Sequence, residues 1–140
     1  MKTREQLALI THKVITKYAE LQQMRKDLCG LCMISSFTLY EAMKKNDKEY
    51  GTDYKPSLVL GMTTEALHCW VESGGQIYDT TYLQFSNKPV HIGEPTKWHN
   101  EFNKRMVATF ETFKSVVPDQ KPTPAKIFDL LKKVEEECQS

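Results

Sequence analysis

Cys32, His68 and Asp79 are the residues of this chain whose types and order could carry out covalent chemistry on a carbonyl group. A thiol attacks as its anion, so it needs a base to take its proton and a carboxylate to hold that base in the useful tautomer. Cys32 stands in Cys29-Gly-Leu-Cys32-Met33, where an irregular segment turns into an apolar helical stretch. The start of a helix offers unpaired N–H groups and the positive end of the backbone dipole, which favour a thiolate and can receive a developing oxyanion. A cysteine on an apolar helix is as readily a small core residue. Its partners therefore decide.

His68 and Asp79 flank Ser73-Gly74-Gly75, a composition suited to a hairpin turn that needs positive φ. With a two-residue turn at Gly74-Gly75, Ser73 faces Gln76, Trp70 faces Asp79 and His68 faces Thr81. That register puts His68, Trp70, Ile77, Asp79 and Thr81 on one face of the sheet, with His68 and Asp79 as diagonal neighbours. A three-residue turn would send His68 and Asp79 to opposite faces. Taken singly, a histidine in a strand is more often structural, and an aspartate before Thr80-Thr81 more often caps a strand end. Together with a cysteine at a helix start they have a mechanical reading: His68 removes the thiol proton and later protonates the leaving group, while Asp79 orients it.

These residues require a helix and a hairpin in register, and the rest of the chain supplies the packing. Leu7, Ile10, Val14, Tyr18 and Leu21 predict an amphipathic helix from Arg4 to about Met24. A second, central and buried helix is expected from Leu31 to about Lys45, because apolar residues surround most of its circumference. Asn46 to Tyr54 reads as a loop, and Ser57-Leu-Val-Leu60 as a strand after Pro56. Strands are expected at Glu65 to Glu72 and Gln76 to Tyr82, followed by a loop from Ser86 to Thr96. Two helices close the chain. One runs from about Lys97 to Ser115, with Trp98, Phe102, Met106, Phe110 and Phe113 on one face, and one from Pro124 to Glu137, capped by Thr123. The expected fold is α+β: one domain over residues 1–140 with a buried central helix packed on a short antiparallel sheet.

With 19 basic and 18 acidic residues among 140, the net charge of +1 gives no electrostatic reason to expect nucleic acid or an anionic membrane as partner. No apolar run is long enough to span a bilayer, and Met1 to Lys13 lacks the pattern of a secretion signal. A cytoplasmic protein is expected. In that reducing setting Cys29, Cys32, Cys69 and Cys138 are better read as catalytic, metal-binding or core residues than as two disulfides.

The stretch His68-Cys-Trp-Val-Glu72, the glycine turn and Ile77-Tyr-Asp-Thr-Thr-Tyr-Leu-Gln-Phe85 together resemble the transglutaminase-like core. In that family a histidine followed by an aromatic and Val-Glu precedes a strand with Asp before Pro or Thr. Gly30-Leu31-Cys32 resembles that family's Gly-x-Cys at the start of its central helix, and Cys29-Gly-Leu-Cys32-Met-Ile-Ser-Ser36 resembles the papain signature, in which the second cysteine attacks. The resemblance covers about Asp27 to Phe85 and implies Cys32 as nucleophile, His68 as base and Asp79 as orienting carboxylate. It implies a thiol-dependent acyl-transfer enzyme, of the cysteine protease, deamidase or transglutaminase type, acting on a protein or peptide substrate without an organic cofactor. Met33 stands where papain-like enzymes usually carry an aromatic, and their polar oxyanion-hole residue has no clear counterpart, Gln22 and Gln23 being candidates by proximity only. The order and short gap from histidine to aspartate favour the transglutaminase-like label.

Three other readings compete. Cys29-x-x-Cys32 with His68-Cys69 has a stoichiometry that zinc accepts, although consecutive strand residues point to opposite faces. Cys29-Gly-Leu-Cys32 could act as a redox dithiol, but no strand is expected before it. The third is a protein-binding module that keeps this fold without the chemistry.

Overall fold

Thr3 starts the first helix, α1 (Arg4–Leu21), with a reciprocal capping box in which its side chain accepts from the Gln6 amide and the Gln6 side chain accepts from its own. In this computed structural model, residues 2–23, 31–64, 66–109, 111–112, 115 and 123–139 are described. Leu7, Thr11, Val14 and Ile15 form the buried stripe of α1. Helix α2 (Cys32–Tyr50) buries almost every residue of its first two turns, from Cys32 to Leu39, as expected of a central helix. It runs past the expected end at Lys45 and takes up part of the segment read as a loop. Ion pairs Lys44–Glu41 and Lys45–Glu49 line its polar last turns, so polarity there marks a solvent-facing helix side. Gly51 ends it at φ 69°, its amide donating to the Asp47 carbonyl.

Strands β1 (Ser57–Met62), β2 (Leu67–Ser73), β3 (Gln76–Asp79), β4 (His91–Gly93) and β5 (Lys104–Val107) form one antiparallel sheet in the order β4-β3-β2-β1-β5. Leu58, Leu60, Cys69, Val71 and Tyr78 belong to the main core with α1, α2 and the last helix, α4 (Pro124–Cys138). Val59, Trp70 and Ile77 belong to a smaller cluster with Phe102. Alternation along the strands thus separates two cores. As expected, Thr123 caps α4 and Pro124 sits in its first turn.

The helix expected from Lys97 to Ser115 is not formed as such. A five-residue helix, α3 (Lys97–Glu101), is followed by β5, and Phe110 and Phe113 lie outside the described residues. A three-and-four spacing of large residues cannot register that the edge of β1 lacks a partner, which Lys104–Val107 provides. Phe102 turns the chain and packs on Val59 and Trp70, while Arg105 donates back to the carbonyls of Phe102 and His99 at 3.0 Å each. The strand expected to reach Tyr82 stops at Asp79, after which Tyr82–Gln84 form a single 3-10 turn. The loop expected from Ser86 to Thr96 contributes β4.

Gly61 pairs directly with His68. A Cβ there would lie 2.7 Å from Phe102 Cβ and 2.8 Å from the Trp70 ring. Gly61→Ala is therefore expected to destabilise the fold by about 1–3 kcal/mol through overpacking, a loss readable as a lower midpoint in denaturant unfolding.

Candidate functional site

The two-residue turn expected at Gly74-Gly75 is present, with φ of 59° and 79° and Ser73 opposite Gln76. The resulting parity puts His68 and Asp79 on one face, and His68 Nε2–H donates to Asp79 Oδ2 at 2.8 Å. Neither side chain has any exposed surface. The other carboxylate oxygen accepts from the Thr81 amide at 3.1 Å.

The β2–β3 ladder extends only from Ser73–Gln76 to Val71–Tyr78. Beyond it, the start of α2 fills in: Ser36 Oγ–H donates to the Cys69 carbonyl at 2.9 Å, and the Ser35 and Thr80 hydroxyls bond to each other. These ties bring the first turn of α2, with Cys32, to the place where the strands part. Cys32 is buried, with 6% of the residue exposed. Its N-cap residue, Leu31, has no side-chain acceptor for the first-turn amides.

Burial opposes a charge on His68, but the carboxylate of Asp79 and its hydrogen bond, and then the nearby Cys32 thiol, outweigh it and push the imidazole up to about 10. Burial likewise works against the Asp79 carboxylate, yet His68 and then His99 hold it well below the usual carboxylate range. The His68 Nδ1 atom is buried and has no aligned hydrogen-bond partner among the described residues. One nitrogen of the ring is thus anchored, and the Cys32 thiol lies near enough to act on the ring. Cys69 differs: it is wholly buried on the helix-facing side of β2, and burial pushes its thiol up.

His99 was not foreseen from the sequence. It lies on α3, fully buried, and its Nε2–H donates to the same Asp79 Oδ2 at 2.8 Å. The Thr96 amide donates to His99 Nδ1 at 3.1 Å, so Nδ1 must accept and the proton sits on Nε2. The only sequence cue was Thr96 three residues before His99, at the spacing of a capping box. The remaining histidines are close by: His91 pairs opposite Asp79 with its ring 5.4 Å from that of His99, and His12 Nδ1–H donates to the Thr80 carbonyl at 2.8 Å.

His68, Asp79 and His99 also make up a group of three metal-ligating types whose donor atoms lie within 4.8 Å of one another. An ion would need the Nε2 lone pair of His99, where the Thr96 contact places a proton. The zinc set read from sequence fares worse, because His68 and Cys69 point to opposite faces of β2; Cys29, its fourth member, lies outside the described residues. Gln22 and Gln23 are exposed at the end of α1. A cleft of about 230 Å³ among the helices, lined by Leu7, Asn46, Leu131 and Val134 among others, includes none of the site residues.

No protein-family model, curated protein or solved structure matches this chain. Among the described residues no helix is long and apolar enough to cross a membrane.

Proposed function

We propose that the chain is a thiol-dependent acyl-transfer enzyme, with Cys32 as nucleophile, His68 as general acid-base and Asp79 as the carboxylate that orients it. The single observation behind this is the buried His68 ring, tied to Asp79 through Nε2 and near enough to the Cys32 thiol for that thiol to raise its pKa. In the reaction the neutral form of His68, the minor one below about pH 10, takes the thiol proton on Nδ1 as sulfur bonds to the carbonyl carbon. The first-turn amides of α2, which no side chain caps, are the donors proposed for the oxyanion. As the bond to the leaving group breaks, His68 returns the proton to that group, leaving a thioester on Cys32. Water or an amine, deprotonated by His68, then attacks the thioester and frees the thiol.

The helix start against an antiparallel sheet, together with the His68 to Phe85 stretch, supports a transglutaminase-like or papain-like fold. A protein or peptide amide is the proposed substrate class.

The test is to treat the folded protein with iodoacetamide near neutral pH and locate adducts by mass spectrometry. Cys32 is expected to react well ahead of Cys69, whose burial hides it, and p-nitrophenyl acetate is expected to leave an acetyl group on Cys32. Even labelling of all cysteines, or an unreactive Cys32, would overturn the reading. Stoichiometric metal in the purified protein would favour the His68, Asp79 and His99 cluster as a metal centre instead.

A further inference from the structure

We infer that His99 is a positioning residue for this site: a Thr96-locked imidazole donates its Nε2 proton to the Asp79 oxygen that also holds His68. The inference rests on the acyl-transfer reading for its kinetic consequences, and on hydrogen-bond geometry alone for the state of His99.

An aspartate with one partner can swing about its side-chain torsions and take His68 with it. Asp79 has partners on three sides: His68 and His99 at 2.8 Å on Oδ2, and the Thr81 amide at 3.1 Å on Oδ1. The plane of the carboxylate is thereby set, and with it the direction in which His68 presents Nδ1.

His99 is itself held from all sides. Its ring stacks on Tyr82 at 5.6 Å with planes 17° apart and meets Trp70 edge-on at 5.1 Å, while Arg105 binds its carbonyl at 3.0 Å. The capping box matters most. In its usual form the third helical residue is Glu or Gln; here an imidazole nitrogen accepts the Thr96 amide, and that acceptance fixes which nitrogen keeps the proton. A helix of five residues thus sets the tautomer of a buried ring. Donation from a ring in this state keeps Asp79 an acceptor only, so the carboxylate does not draw the proton that His68 must carry.

The titratable groups about Asp79 are His68 and Cys69 on β2, Cys32 on α2, His91 on β4 and His99 on α3. Arg105 binds the carbonyls of His99 and Phe102 and the Asn100 side chain, and His12 binds the Thr80 carbonyl and the Thr16 hydroxyl.

The experiment compares wild type, His99→Leu and His99→Gln in the full chain, reading the rate of Cys32 alkylation against pH. Gln can place an N–H donor where Nε2–H stood; Leu cannot. His99→Leu is expected to slow alkylation roughly tenfold to a hundredfold and to move the acid limb of the profile to higher pH, because Asp79 loses a donor. His99→Gln should recover much of the rate and return the limb towards wild type. Equal loss in both variants, or no loss in either, would overturn the positioning role. Nitrogen-15 NMR of wild type must show the proton of His99 on Nε2; a proton on Nδ1 would overturn the inference even if His99→Leu fails to fold. If Cys32 proves unreactive in wild type, the acyl-transfer reading fails alone, and the nitrogen-15 spectrum together with the Asp79 carboxyl titration in His99→Gln decides the role of His99.

Discussion

His68→Ala is expected to lower the rate of Cys32 alkylation near neutral pH on the order of a hundredfold to ten thousandfold, with Cys69 labelling unchanged. The size follows from the single route left for the proton. His68 is the imidazole beside the thiol, and its unbonded Nδ1 is the atom that would take the proton. Alanine leaves the Asp79–His99 bond in place, so the loss reports the base and not the collapse of the site. Circular dichroism of the variant gives the control. A rate within a few-fold of wild type would show that His68 takes no part in activating the thiol.

Asp79→Asn is expected to cost about 3 kcal/mol of stability, or roughly 10 °C in Tm, because it removes the charge from a fully buried pair and leaves one amide oxygen to face two donors. The pH dependence has a defined sign. The carboxyl of Asp79 is lowered from 3.8, so its contribution is present above that value and fades as pH falls through the folded-state value. The imidazole of His68 is raised from 6.5 to about 10, so its contribution is complete below 6.5 and fades as pH rises towards 10. Both are whole between 3.8 and 6.5. The gap in Tm between wild type and Asp79→Asn should be widest in that window and narrow on either side. A gap constant from acid to alkali would mean that the substitution acts through packing and not through charge.

The hairpin was legible because its parity is all or none. A two-glycine turn admits one register, and that register alone fixes which side chains share a face with His68. The beginning of α2 was legible for a similar reason, since a continuous apolar circumference after Gly30 leaves little but a buried helix. The stretch from Thr96 to Val107 was not. Its helix is too short to build a periodic pattern, and β5 forms because the edge of β1 is available, a fact held by residues 40 positions away or more. His99 disappeared inside that misreading, because the long helix was expected from its large apolar residues alone. Nothing local joins it to Asp79, 20 residues earlier.

The early parting of β2 and β3 has a mechanical consequence. A sheet resists shear through its ladder, and here the rungs stop at Val71–Tyr78, three residues short of His68, while two serine hydroxyls from α2 fasten Cys69 and Thr80 beyond them. Hydroxyl clasps release more easily than paired strands, so this seam is the weakest stretch between β2 and β3, and its yielding would draw on the main core that the start of α2 shares with β2. Room for an incoming carbonyl would then come from a crevice that widens along its own weakest line.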